Sequence, residues 1–313
     1  MMNLMKIGII GIGSIAEKAY LPVYAGLSGA ELHFCTRNEQ KLRKISDKYR
    51  WTHLYQSVDR LIESGIDAAF VHAATSAHPA IISKLLNEGI SVYTDKPIAD
   101  HYETVKKLTE LAEKQRVLLM TGFNRRFAPL NRAVFEAPGK SMIIYQKNRV
   151  NDPADIRKFV YDDYIHVVDT ARYLLNEPVE AINVFAKKNA EDLYTNLNVV
   201  LHAGSKLAVT FMSRVSGGNE EILQAMSPES EYRVRNLAEF EQIKGNVRIQ
   251  KPFGDWTTTL YKRGFVQIVE AFLDSVKHHK EEPISKADAL ETHRICEKIV
   301  QAAANQSNAG SFA

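Results

Sequence analysis

A chain of 313 residues is long for a single core, and size alone favours two domains. Its 45% hydrophobic and 25% charged residues are ordinary for a globular protein, and a net charge of +3 without a run of Lys or Arg gives no electrostatic case for nucleic acid. Only two cysteines occur, Cys35 and Cys296, far apart and in no metal-ligand spacing, so neither a metal site nor a disulfide framework is expected and a reducing compartment fits. The apolar start at residues 1–15 is broken by Gly8, Gly11 and Gly13 and lacks a cleavage pattern. No window approaches the roughly 18–20 apolar residues of a membrane span, so a soluble, cytoplasmic protein without a membrane partner is expected.

In chain order, residues 6–10, 32–36, 68–72, 91–94 and 117–121 read as short buried strands. Between them, 15–27, 39–49, 79–87 and 102–114 carry helical periodicity, and 53–63 reads as a shorter strand–helix unit. Asp100 with Glu103 has the spacing of a capping box for the helix at 102–114. Strands alternating with helices imply a doubly wound parallel sheet of Rossmann type over residues 1–121. After Gly122 the rhythm changes. Residues 142–150, 181–188, 195–202, 206–212 and 231–236 read as strands with few helices between them, and Ala203-Gly204-Ser205 reads as a hairpin turn. Helices return at 163–175, 264–279 and 286–303, and a loose Ser/Asn/Gly tail follows from Asn305. Residues 122–313 are therefore expected to form an α+β domain around a large, mostly antiparallel sheet.

The segment Gly11-Ile12-Gly13-Ser14-Ile15-Ala16 follows the first strand and opens a helix. That context makes a G-x-G-x-x-A turn a dinucleotide signature. Gly11 allows a tight reversal, Gly13 lets the backbone approach a pyrophosphate, and Ala16 lets helix and strand pack closely. Ser14 and Ile15 begin the helix whose free N–H groups would face the phosphates. The second strand ends in Cys35-Thr36-Arg37-Asn38, without the acid that commonly bonds a free ribose there. A hydroxyl followed by a guanidinium suits a 2′-phosphate, so NADP is expected ahead of NAD; the alternative is that Arg37 is a solvated surface charge.

Asp95-Lys96-Pro97 follows the strand at 91–94 and brings Lys96 to the carboxyl edge of a parallel sheet, where such sheets bind ligands. A solvated charge is the plain alternative. On the helix from 163, Asp162, His166, Asp169 and Tyr173 follow i, i+4, i+7 and i+11 and are expected on one face, opposite Ile165, Val168, Ala171 and Leu175. Asp162 has two readings, helix N-cap or partner of His166 in an acid/base pair.

Taken together, these motifs resemble the glucose–fructose oxidoreductase, inositol dehydrogenase and rhizopine-catabolism (Gfo/Idh/MocA) family. The resemblance runs over essentially the whole chain. Its landmarks are the Gly11–Ala16 turn, Ala74-Thr75-Ser76-Ala77-His78, Asp95-Lys96-Pro97 at the family's E-K-P position, Gly122-Phe123-Asn124-Arg125-Arg126-Phe127-Ala128-Pro129, and Asp162-x-x-x-His166-x-x-Asp169. The motifs look most like the MviM-like branch, whose members carry a virulence-factor label. The resemblance implies hydride transfer between NAD(P) and a sugar- or polyol-like carbinol or carbonyl. It implies that Lys96 assists the reacting oxygen while touching cofactor, that His166 is the general acid/base, and that Asp162 supports it. It also implies that Thr75 and His78 line the cofactor site, and that the second domain binds substrate and assembles the chain into a homodimer or homotetramer. Two departures stand out: Asp95 is one methylene shorter than the family's Glu, and Arg157-Lys158-Phe159-Val160-Tyr161 replaces the Gly-Gly that commonly precedes the acidic helix. Asn124, Arg126, Arg149 and Tyr161 are substrate candidates, with Asn148, Arg157 and Lys158 on the same rim; each has an ordinary surface role as its alternative. Two rival functions share the fold: a redox-neutral, cofactor-dependent glycoside-cleaving enzyme, and a non-catalytic cofactor- or sugar-binding sensor.

Overall fold

The structure is a computed structural model and describes residues 4–306, so most of the expected Ser/Asn/Gly tail lies outside the described residues. The chain divides into two compact units. One holds the chain up to Gly122 together with Phe265–Glu291, and the other holds Phe123–Gly264 and the chain from Thr292 onward.

In the first unit, β1 (Met5–Ile10), β2 (Ala30–Cys35), β3 (His53–Tyr55), β4 (Ala68–Val71), β5 (Ser91–Thr94) and β6 (Leu119–Thr121) form one sheet in the order β3-β2-β1-β4-β5-β6. Every neighbouring pair is parallel. The Ala-Ala-Phe-Val strand β4 is buried at every position, because helices cover both faces of a doubly wound sheet. The strand order reverses between β1 and β4, which is where such sheets leave a crevice for ligands.

The helices of this unit up to Gly122 are α1 (Leu21–Tyr24), α2 (Glu39–Tyr49), α3 (Val58–Glu63), α4 (His78–Asn87) and α5 (Tyr102–Gln115). Two depart from expectation. The helix expected at 15–27 opens with a π-helical turn, Ala16–Tyr20, in which Leu21 N–H bonds Ala16 O, and Pro22 then has no N–H to restore the regular ladder. The capping box of α5 does not form: His101 is its N-cap, and Asp100 Oδ1 instead meets His101 Nδ1 at 2.9 Å.

In the second unit, α6 (Pro129–Glu136) precedes β7 (Met142–Asn148), and α7 (Ile156–Lys158) runs through a π-helical turn, Phe159–Tyr164, into α8 (Ile165–Leu175). Seven further strands follow: β8 (Ala181–Lys188), β9 (Tyr194–Ala203), β10 (Lys206–Ser213), β11 (Glu220–Met226), β12 (Glu231–Arg235), β13 (Glu239–Lys244) and β14 (Val247–Gln250). The eight strands are ordered β14-β13-β12-β11-β7-β10-β9-β8. Only β7 and β10 pair in parallel; the other neighbours are antiparallel. Alternating burial along β9, β10 and β11 gives the sheet one covered face and one open face. Gly204, at φ +55°, makes the expected turn between β9 and β10.

The last described helices are α9 (Thr259–Lys262), α10 (Phe265–His278) and α11 (Lys286–Gln306). Reading the alternation of elements places one boundary near residue 122. The later return to the first unit is carried by aromatic packing: Phe265 stands edge-on to Tyr20 at 5.2 Å, and Phe272 packs on Phe70 at 5.1 Å. Among the described residues no helix is long and apolar enough to cross a membrane.

Candidate functional site

The glycine turn sits at the strand-order reversal. Gly11 has φ +92°, and a Cβ there would lie 2.5 Å from Ala73 N, so only glycine fits between the ends of β1 and β4. Its N–H bonds Cys35 O at 2.9 Å, which ties the turn to the end of β2 as well. Gly13 differs: a Cβ there would meet nothing closer than His72 O at 3.9 Å, so its missing side chain leaves open space. Ala16 is fully buried, as close helix–strand packing requires, while Ser14 and Ile15 are exposed at the start of the helical run.

These residues border a cleft of about 760 Å³ whose lining includes Gly11, Gly13, Thr36, Arg37, Lys41 and Ala73. Thr36 Oγ1 accepts a bond from Asn38 N–H at 3.4 Å, and Asn38 caps α2 by accepting from Lys41 N–H at 3.1 Å. Arg37 is exposed, and its side chain makes no hydrogen bond or ion pair among the described residues. Lys41 was not legible as a site residue because nothing local marks it. The α2 turn swings its ammonium back to Ile12 O and to within 3.6 Å of Glu17, at the rim of the glycine turn. The open space at Gly13, the helix start and the cations beside Thr36 together fit a dinucleotide.

Ala74 and Ala77 line this cleft, whereas Thr75 and His78 are absent from its lining. His78 is buried, with Pro97 O 2.9 Å from Nδ1 and Ala73 O 3.0 Å from Nε2. It thus joins the end of β4 to the turn that carries Lys96. The Lys96–Pro97 peptide is cis. Asp95 Oδ1 accepts the Lys96 N–H at 2.9 Å, so the short side chain turns back on its own backbone. Burial pushes the Asp95 carboxyl upward, opposed by the Lys96 charge. Below it, Tyr20 and Tyr93 share a hydroxyl contact of 2.8 Å, and both phenols are raised by burial.

In the second unit the acidic helix is not a uniform α-helix. Asp162 lies inside the π turn, where Ile165 N–H reaches Val160 O, so the expected i, i+4 face is broken at its first member. Asp162 is exposed, whereas His166 and Asp169 are buried. The N-cap of the run is Asp155, which accepts from Lys158 N–H at 2.9 Å; Asp162 does not cap it. The four substrate candidates do not form one group. Asn124 Nδ2 donates to Arg263 O at 2.8 Å. Arg126 is buried in a bidentate pair with Asp169, at 2.6 and 2.9 Å. Tyr161 donates to Glu297 at 2.8 Å, and the same carboxylate takes both guanidinium nitrogens of Arg157. Arg149 pairs with Asp163 at 2.6 and 3.0 Å.

Residues 5–123 match the oxidoreductase family with an NAD-binding Rossmann fold (GFO_IDH_MocA), and residues 134–245 match the YceM-like C-terminal domain. The chain is 33% identical over 307 residues to the oxidoreductase YceM of Salmonella typhimurium, covering 95% of this chain and 98% of that protein. It belongs to the Gfo/Idh/MocA family. Another member of similar build is the dehydrogenase MviM of Clostridium difficile, whose crystal structure is 32% identical with a TM-score of 0.90 over 96% of this chain and 100% of that one. A myo-inositol 2-dehydrogenase of Thermotoga maritima is 28% identical over 191 residues, 57% of each chain. As a Gfo/Idh/MocA oxidoreductase, the chain is an NAD(P)-dependent dehydrogenase. The parallel six-stranded and mostly antiparallel eight-stranded sheets are those expected of the family.

Proposed function

We propose that this dehydrogenase interconverts a carbinol and a carbonyl on a sugar- or polyol-like substrate and uses NADP(H) in preference to NAD(H). The observation that carries the reading is the nucleotide cleft, with glycines at its turn and Thr36, Arg37 and Lys41 where the adenosine ribose would sit. Similarity to a myo-inositol 2-dehydrogenase supports a polyol. The bound nicotinamide would accept or supply the hydride. Gly13 and the helix N–H groups would hold the pyrophosphate, and Arg37 would fork onto a 2′-phosphate.

On the protein side, His166 would take the alcohol proton as the carbon loses hydride, and return it in the reverse direction. Asp162 would bias His166 toward its working protonation state, and Lys96 would donate to the oxygen as charge develops on it. The Asp95 and His78 contacts on either side of Lys96 act as positioning bonds for that ammonium. Assembly into a homo-oligomer through the second unit belongs to the same proposal.

The test is the absorbance of reduced nicotinamide, followed with a panel of polyols and sugars. Wild type should give stoichiometric cofactor turnover with at least one of them, and Lys96→Met should lower kcat by about 10²-fold or more while the fold survives. Product formed without net cofactor change would favour the redox-neutral enzyme; saturable sugar binding without turnover would favour the sensor.

A further inference from the structure

Cationic side chains crowd the region around β7 and the π turn of the second unit. Lys147 is 1% exposed and its ammonium is held by Asp163. Arg149 meets the same carboxylate, and Arg214 reaches it at 3.7 Å while also standing 3.3 Å from Asp152. Arg125 forms a buried bidentate pair with Glu221 at 2.7 and 2.8 Å, and Tyr145 donates to that carboxylate too. Arg263 is partly buried beside them: its carbonyl accepts from Asn124 Nδ2 at 2.8 Å, and Asn124 Oδ1 in turn accepts from Arg125 at 3.3 Å, within reach of the charges of Arg125, Glu221 and Arg149. Its side chain makes no hydrogen bond or ion pair among the described residues.

The charges do not balance. Arg125, Lys147, Arg149, Arg214 and Arg263 are five cations, and the carboxylates paired with them are Asp163, Glu221 and the half-exposed Asp152. Arg214 is 1% exposed, yet its Nε has no hydrogen-bond partner among the described residues. Arg125, Lys147 and Arg214 are buried and paired, whereas Arg149 and Arg263 keep partial exposure, so the unbalanced positive charge lies where a counter-charge can reach it. The crowding also penalises Lys147, whose ammonium is brought down to about 7 by burial and then by Arg125, against the pull of Asp163. Arg157, another cation of the expected rim, is already neutralised by Glu297.

We propose that this nest receives an anionic group of the substrate, a carboxylate or a phosphate monoester carried by the polyol, on Arg149 and Arg263 with Lys147 and Arg214 behind them. The inference rests on the polyol reading above and narrows it. Asp163, the hub of the nest, is three residues before His166 on one helical run, so an anion docked here would set which carbinol reaches the imidazole. Guanidinium forks suit either anion, because both present two oxygens to paired N–H groups.

The experiment is calorimetric titration of the full chain saturated with NADP+, so that the pyrophosphate site is filled. The probes are D-gluconate for the carboxylate, glucose 6-phosphate for the phosphate, and myo-inositol as the neutral comparator. At least one anionic probe should bind about tenfold or more tighter than myo-inositol, and the tighter of the two identifies the anion. Arg263→Gln should remove most of that advantage while changing myo-inositol binding by less than about twofold, and Arg263→Lys should restore part of it. Arg149→Gln, checked for an unchanged melting temperature, should act in the same direction. Anions that bind no tighter than myo-inositol, or an Arg263→Gln variant that retains the full anion preference, would overturn the proposal. Absence of cofactor reduction with every alcohol would count against the polyol reading alone, since calorimetry reads the nest whether or not hydride moves.

Discussion

Arg37 ends at the lip of the nucleotide cleft with no protein acceptor among the described residues, immediately after the hydroxyl of Thr36. An acid at that strand end would accept bonds from a free ribose and repel a 2′-phosphate, and its absence removes both effects. A charge-assisted bond from Arg37 is typically worth about 1.5–3 kcal/mol, which solvent exposure pulls toward the lower figure. The expected outcome is an NADP dissociation constant that rises about tenfold or more in Arg37→Ala, with NAD binding unchanged. Thr36→Asp should move preference toward NAD. Equal weakening of both cofactors in Arg37→Ala would make the arginine a general surface charge. Lys41 adds a second cation at the same rim, so Arg37→Ala with Lys41→Gln should weaken NADP further than either change alone.

At the scale of the element, the two glycines of the first turn have separable duties. Gly11→Ala forces a methyl to 2.5 Å from backbone at φ +92°, where neither side can yield cheaply. It should cost about 2–4 kcal/mol, read as a lower denaturant midpoint without any ligand. Gly13→Ala meets only open space, so it should leave stability nearly unchanged and weaken dinucleotide binding instead. A large stability loss in Gly13→Ala would show that the turn is packed rather than open. This turn was legible in the sequence because its chemistry is local: strand, glycines and helix follow one another within a dozen residues. The strands β4 and β5 were legible for a similar reason, as short apolar runs between helices. The strands β11, β13 and β14 were not. Glu220-Glu221-Ile222-Leu223-Gln224-Ala225-Met226 suits a helix by composition and is a strand because β7 and β12 pair with it on both sides. The π turn at Phe159–Tyr164 was equally hidden, and it removes Asp162 from the regular face expected for it. The cation nest was invisible for a topological reason: Arg125 and Glu221 stand 96 residues apart, and Arg263 comes near them only when the second unit folds.

At the scale of the whole molecule, buried charge should set the pH dependence of stability. Glu221 is pushed up by burial but pulled further down by Arg125, to about 2 from an ordinary 4.5. Its contribution is therefore fully present above pH 4.5 and lost as pH falls toward 2. Lys147 runs the other way. Its folded value of about 7 lies below the ordinary 10.5, so the unfolded chain holds the proton between those values and stability should rise with pH across that window. Urea midpoints measured from pH 2.5 to pH 10 should show both limbs. Glu221→Gln should be less stable at pH 7 by about 3–5 kcal/mol, because it strands Arg125, and its acid limb should be shallower. Lys147→Met should flatten the alkaline limb, and a wild-type profile flat above pH 7 would show that Lys147 keeps its proton there. Stability of this kind supports the site but does not establish the proposed chemistry, hydride transfer between a carbinol carbon of the substrate and the nicotinamide. The direct measurement uses a polyol substrate carrying deuterium on the reacting carbon, with mass analysis of both cofactor and product. One deuterium on the reduced nicotinamide for each carbonyl formed is the predicted result. Deuterium returned to the product, or released to water with no label on the cofactor, would contradict it.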